Sequence, residues 1–209
     1  MTRLKELQEQ LLSQLATKLN AKGFKRKEQS FHRDIPGGKQ IFHITWIKHQ
    51  SDFDITGDVA VRHDVLEELV NESNPRLSKR EKSQTASIGA ELGNLSMGQP
   101  LRWTVSSEAD IPEVCEGILA VLESVGLPYL QRFSSLEEVL SALSFDDQDA
   151  WLHSPIDHIR AKRAIGAAYW LGRRETFTQL VKLKTQFLKN RKDFGLSEFM
   201  SFAEKLAKR

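Results

Sequence analysis

GFKRKEQSFHRDIPGGKQIFHITWIKHQSDFDITGDVAVRH, Gly23 to His63, is the stretch that decides the fold. Phe31 and Arg33 alternate with His32 and Asp34, the period-2 pattern of a strand. Pro36-Gly37-Gly38 supplies a turn. Ile41 to Ile47 is rich in β-branched and aromatic residues and predicts a second strand. Alternation puts Phe42, Ile44 and Trp46 on one face, and Ile41, His43, Thr45 and Ile47 on the other. The second face is also mostly apolar, which predicts a central strand covered on both sides. Asp54 to Arg62 reads as a third strand, with Ile55, Val59 and Val61 inward and a bulge or break at Gly57. Together the three runs predict an antiparallel meander.

Working outward toward the N-terminus, Leu4, Leu7, Leu11, Leu15 and Leu19 make one apolar stripe on a helix that Gly23 ends. Charges run throughout this segment, so it reads as an amphipathic helix and not as a signal peptide. No run approaches the roughly 18 apolar residues of a membrane span. The single cysteine, Cys115, excludes an internal disulfide and lies in an apolar helical pattern, the setting of a buried structural thiol. These readings point to a reducing compartment, the bacterial cytoplasm.

Toward the C-terminus, Asp64 caps a short helix through Val70, and Asn71 to Ser83 reads as an exposed, mobile polar loop. Strands are expected at Thr85–Leu92 and Leu101–Val105. From Asp110 the pattern is helical. Asp110-Ile111-Pro112-Glu113 resembles a capping box, Ser134 or Ser135 opens a further helix, and Ser154-Pro155-Ile156-Asp157 another, which Gly172 ends. Ser197 opens the last. The expected fold class is α+β: an antiparallel sheet of about five strands packed with helices, then a C-terminal three-helix bundle. The expected domains are residues 1–150 and a helical extension, 151–209, packed on them. Phe31, Phe42, Ile44, Trp46, Val59, Val61, Trp103, Ile118 and Leu122 are the expected core.

The chain has 209 residues and a net charge of +2, but the charge is uneven. Residues 1–103 carry 16 Lys/Arg and 13 Asp/Glu, residues 104–150 carry 1 and 10, and residues 151–209 carry 13 and 5. Either the acidic and basic segments complement each other, or one of them meets a charged partner.

The segments GFKRKEQSFHRD and IFHITWIKHQSDFDITGDVAVRH, then IGAELGNL and LPYLQRFSSLEEVLSAL, resemble a bacterial family described as domain of unknown function 4304. The resemblance covers roughly residues 12–143. It implies an α+β fold and an accessory or immunity-type protein beside toxin or defence genes. It supplies no catalytic or binding residues.

Searching for chemistry, the six histidines show no His-x-His or His-x-x-x-His spacing, and no metal site or cofactor is expected. No Gly-x-Ser-x-Gly elbow occurs. Asp193-Phe194-Gly195 matches a kinase triplet without the other kinase motifs. The function these readings favour is a non-catalytic protein-binding module, antidote-like, recognising a protein encoded nearby. Its candidate residues are Glu113, Glu116, Glu137, Glu138, Asp146 and Asp147. The first alternative is a nucleic-acid-binding accessory using Lys25, Arg26, Lys27, Arg173, Arg174, Lys182 and Lys189 among the basic residues. The second is an enzyme with a site built on the sheet from His32, Arg33, His43 and Asp58.

Overall fold

The leucine stripe of Arg3–Asn20 forms helix α1, with Leu7, Leu11, Leu12, Leu15 and Leu19 buried. The computed structural model describes residues 3–72, 74 and 77–209. Gly23, at φ +83°, turns the chain out of α1 into the sheet. The strands that follow are β1 (Lys25–Lys27), β2 (Ser30–Ile35), β3 (Gly38–Lys48) and β4 (Phe53–His63). The helices α2 (Asp64–Asn71) and α3 (Lys79–Gln84) lead to β5 (Ile88–Glu91), α4 (Leu92–Met97) and β6 (Trp103–Val105).

The sheet is antiparallel, in the order β1-β2-β3-β4-β5 with β6 paired to β4. The meander expected from Gly23 to His63 is therefore present, and β1 precedes it as a short edge strand. That edge carries Lys25, Arg26 and Lys27, and charge on an edge discourages pairing with other chains. Phe31 lies opposite Phe42, ring centroids 5.9 Å apart, on the core face.

Gly57 does not break β4, which runs unbroken to His63. Phe42 and Leu92 press so closely there that a Cβ would lie 2.9 Å from one and 3.1 Å from the other. The glycine makes room for core packing, and the bulge reading is corrected. The reading of β3 as covered on both faces is corrected too: Gln40, Phe42 and Ile44 are buried, whereas His43, Thr45 and Ile47 are only half-buried. Trp46 and Trp103 are likewise half-buried, and Trp46 leans edge-on against Phe53.

The strand expected over Thr85–Leu92 shortens to β5, because Leu92 begins α4, and the one expected over Leu101–Val105 shortens to β6. The stretch read as a loop holds α3, closed by a capping box of Ser78 and Glu81. Its Ser73, Pro75 and Arg76 lie outside the described residues.

A 3-10 turn, Glu108–Asp110, precedes α5 (Ile111–Val121). Asp110 does not cap α5; its carboxylate accepts the backbone N–H groups of Ser106 and Ser107 and so closes the turn before it. A π-helical stretch, Leu122–Gly126, joins α5 to α6 (Leu127–Arg132). Cys115 is buried, and burial pushes its thiol up to about 11. The remaining helices are α7 (Leu136–Ser144), α8 (Gln148–His153), α9 (Asp157–Trp170), α10 (Arg174–Arg191) and α11 (Leu196–Ala207). Ser135 caps α7 as expected. Ser197 does not open α11, which starts one residue earlier after Gly195.

The chain forms two compact units, residues 1–60 with 90–132 and residues 61–89 with 133–209. The first holds α1, α4 to α6, β6 and most of the sheet. The second holds α2, α3 and α7 to α11. Residue 150, the expected domain boundary, lies inside α8 of the second unit. No helix among the described residues is long and apolar enough to cross a membrane.

Candidate functional site

Helix α9 is the centre of the second unit and packs against α2, α7, α10 and α11. The small side chains of Ala161, Ala164, Gly166, Ala167 and Ala168 let those neighbours approach; a Cβ on Gly166 would lie 2.9 Å from Leu66. Because α9 is enclosed, its basic residues are enclosed as well, and each meets an acid. Arg160 pairs with Asp157 at 2.7 Å and Asp146 at 3.3 Å, and donates to the Ser154 carbonyl. Lys162 reaches Glu198 at 2.5 Å, and Arg163 reaches Glu67 at 2.9 Å. From α10, Lys184 donates to Asp146 at 2.8 Å and to the Phe145 carbonyl at 2.9 Å. Burial holds the Lys184 ammonium below its usual value, and Asp146 only partly offsets this. Much of the basic C-terminal charge is thus consumed internally. Arg173, Arg174, Lys182 and Lys189 remain exposed on or beside α10.

Three little-exposed aspartates of this unit have exposed apolar neighbours in the chain. Asp146, Asp157 and Asp193 have side chains only 19%, 12% and 11% exposed. Beside them in the chain, Phe145, Ile156 and Phe194 are 62%, 53% and 77% exposed. Asp193 Oδ1 accepts the Gly195 N–H at 2.7 Å, closing a tight turn. The same oxygen lies 3.0 Å from His158 Nδ1, outside hydrogen-bond geometry. A Cβ on Gly195 would fall 2.1 Å from the His158 ring, so only glycine fits. The turn therefore holds Phe194 outward, edge-on over His158 with ring centroids 4.7 Å apart. Arg160 links Asp146 to Asp157, and Arg191, itself exposed, reaches Asp157 at 3.3 Å. Arg160 thus joins Asp146 and Asp157 in one buried ionic node, which Phe145 and Ile156 flank in the chain, while Asp193, in its own turn beside His158, adjoins Phe194. Exposed apolar groups of this size mark interaction surfaces where they adjoin.

The acidic candidates are divided between the units. Glu113 and Glu116 are exposed on α5 of the first. Glu137, Glu138, Asp146 and Asp147 belong to the second. Asp146 faces inward to Arg160 and Lys184, and Asp147 caps α8 by accepting the Ala150 N–H at 2.9 Å. Glu137 sits below its usual value through its own backbone N–H, the Ser135 hydroxyl, and the charges of Arg173 and His63.

In the first unit, Arg26 is held by Glu9 in a bidentate pair, both contacts 2.7 Å, while Lys25 and Lys27 stay exposed. The sheet does not bring all four residues of the enzyme alternative to one face. His32, His43 and Asp58 share the half-buried face, where Ser30 Oγ meets His43 Nδ1 at 2.7 Å and Thr45 donates to Asp58 at 3.3 Å. Arg33 lies on the opposite face, bonded to Gln40 at 2.6 Å with its guanidinium over the Phe24 ring. Burial pushes Asp58 up and His43 down, which favours the neutral form of each. Among the described residues no group of three or more His, Cys, Asp or Glu side chains is placed to hold a metal ion.

Sequence reasoning missed Phe145, Ile156 and Phe194. Their signal was an apolar residue next to an aspartate in each break between helices. Comparison of the chain with models of protein families, with curated proteins and with solved structures gives no match.

Proposed function

We propose that this protein is a non-catalytic protein-binding module, and that its second unit docks the partner through Phe145, Ile156 and Phe194. The observation that carries the reading is the set of three little-exposed aspartates, each beside a large apolar side chain in solvent. Leaving such groups exposed contributes nothing to folding, whereas covering them releases about 1.5–3 kcal/mol for each side chain. The exposed charges nearest in sequence are of both signs, Asp147 and Asp149 beside Phe145 and Lys189, Arg191 and Lys192 beside Phe194, so the complementary surface is apolar at its centre and carries both signs at its rim. An antidote-like component of a bacterial toxin or defence locus is the form of this reading that the resemblance to domain of unknown function 4304 suggests.

A tagged pull-down from native lysate tests it. One stoichiometric protein partner that survives nuclease treatment and is lost with the Phe145→Glu/Phe194→Glu variant is the expected result. Both positions are exposed, so stability should change by less than about 0.5 kcal/mol for each. Recovery of nucleic acid alone, abolished by Arg173→Glu/Arg174→Glu, would sink the reading in favour of the exposed cations of α10.

A further inference from the structure

We infer that the groove bordered by α9, α10 and α11 binds an amphipathic anion, a small molecule with one acidic head group and an unbranched apolar chain. A cleft of about 590 Å³ opens where α9 ends and α10 begins, with Tyr169, Arg174, Phe177, Thr178 and Leu206 in its wall. A second cleft, of about 610 Å³, lies along α10 and α11 and shares Phe177, Thr178 and Ala207 with the first. Each is within the few hundred to about 1,000 Å³ typical of small-molecule sites. The shared residues make them one groove.

Its origin is in the sequence. Ala203 and Ala207 stand four apart on α11 and so lie on one face. Across from them Phe177 and Val181 stand four apart on α10, and the small methyl groups leave the space between unfilled. Tyr169 and Phe177, edge to face with centroids 6.3 Å apart, make a firm wall. The ends of the groove differ. Toward α11, Val181, Met200 and Ala203 give a largely apolar channel, with Met200 exposed; Glu204, also in this wall, is paired with Lys208 at 2.7 Å. At the other end stands Arg174, whose guanidinium forms no ion pair among the described residues. Arg209, in the same wall, is already bound to Glu72 at 2.7 Å. An uncommitted guanidinium at one end of an apolar channel matches a carboxylate on a hydrocarbon chain: the head takes the fork of donors, and the chain displaces water that the channel cannot hydrogen-bond.

The site is separate from the protein-docking face, since Arg174 and Arg191 end a helix of 18 residues, about 27 Å long. The test is titration calorimetry of the whole chain with dodecanoate below its micelle concentration. Expected are one site per chain and affinity about tenfold weaker in Arg174→Glu, the loss of one charge-assisted hydrogen bond. Met200→Asp should weaken binding similarly, and dodecyltrimethylammonium, with the same chain and opposite charge, should bind at least about tenfold less well. Lys189→Glu and Phe194→Glu should leave dodecanoate binding unchanged. No binding, several molecules per chain, or equal affinity for both head groups would overturn the inference. So would co-sedimentation with phosphatidylglycerol vesicles that Arg174→Glu abolishes, because the cation would then serve a membrane surface.

Discussion

The two units of this chain use charge in opposite ways. In the first, among the described residues, the buried polar side chains are Gln40 and Thr56, and the core is Phe, Leu, Ile and Val from α1, the sheet and α5. In the second, Arg62, Glu67, Arg160, Lys162 and Lys184 are all buried. The surfaces are reversed as well. Of the large exposed apolar residues described, only Met97 belongs to the first unit; Phe145, Trp151, Ile156, Trp170, Leu183, Phe194 and Met200 belong to the second. The difference teaches where function is to be sought. Buried ion pairs are poor stabilisers, since desolvation consumes most of their Coulomb energy. They fix directions well, and here Arg160 holds Asp146 and Asp157, the chain neighbours of the exposed Phe145 and Ile156.

The sharpest way to break this comparison is to unpair the second unit. Arg163→Met leaves the fully buried Glu67 without its nearest cation and should cost about 3–5 kcal/mol in urea unfolding. Glu67→Met with Arg163→Met should restore stability to within about 1 kcal/mol of the parent. A single variant as stable as the parent would show that the pair carries no weight.

A smaller effect is expected from acid. Burial raises the Glu67 carboxyl, but Arg163, Thr85 and Arg62 together outweigh it and the group ends below its ordinary 4.5. A carboxylate held low stabilises the fold above its unfolded value and loses that contribution as pH falls through its folded value. Asp58, in the first unit, has the opposite sign: burial holds it above 3.8, so protonation in the window above 3.8 favours the fold. The exposed acid pairs of the first unit, such as Glu9 with Arg26, add little. Below pH 4.5 the second unit should therefore loosen first. Trp151 and Trp170 report on it, and Trp46 and Trp103 on the first unit. Resolving the four indole signals by NMR during an acid titration checks the order; simultaneous loss would merge the two units into one cooperative block.

The smallest effect should come from Asp58→Asn. Removing a half-buried carboxylate held above its ordinary value should leave the thermal midpoint unchanged or slightly raised at pH 7, by no more than about 1 kcal/mol. A clear loss of stability would show that His43 and Thr45 depend on the charge.

Much of the first unit was legible because its signals are local. The stripe of Leu7, Leu11, Leu15 and Leu19 and the alternation around Phe42 and Ile44 each need only a few consecutive residues to declare a face. Gly57 was misread because a glycine within a strand pattern has the same sequence signature whether it bulges or makes room for Phe42 and Leu92. In the second unit the helices were legible and their roles were not. Arg160, Lys162, Arg163 and Lys184 belong to the basic segment 151–209, whose charge the sequence leaves free to meet either a partner or an internal acid, since charge is normally solvated. Only the neighbours of α9 show that these cations are enclosed. For the same reason Asp146 read as part of a docking face, while Phe145 beside it went unnoticed.

The sequence by itself determined the α+β class, the meander, the three terminal helices and the burial of Cys115, since backbone propensity and apolar period act within one element. Tertiary structure alone decided which charges cancel and which apolar groups remain in solvent. Those outcomes depend on distances of a few ångströms between residues far apart in the chain, as with Glu67 and Arg163, and no local pattern encodes such a distance.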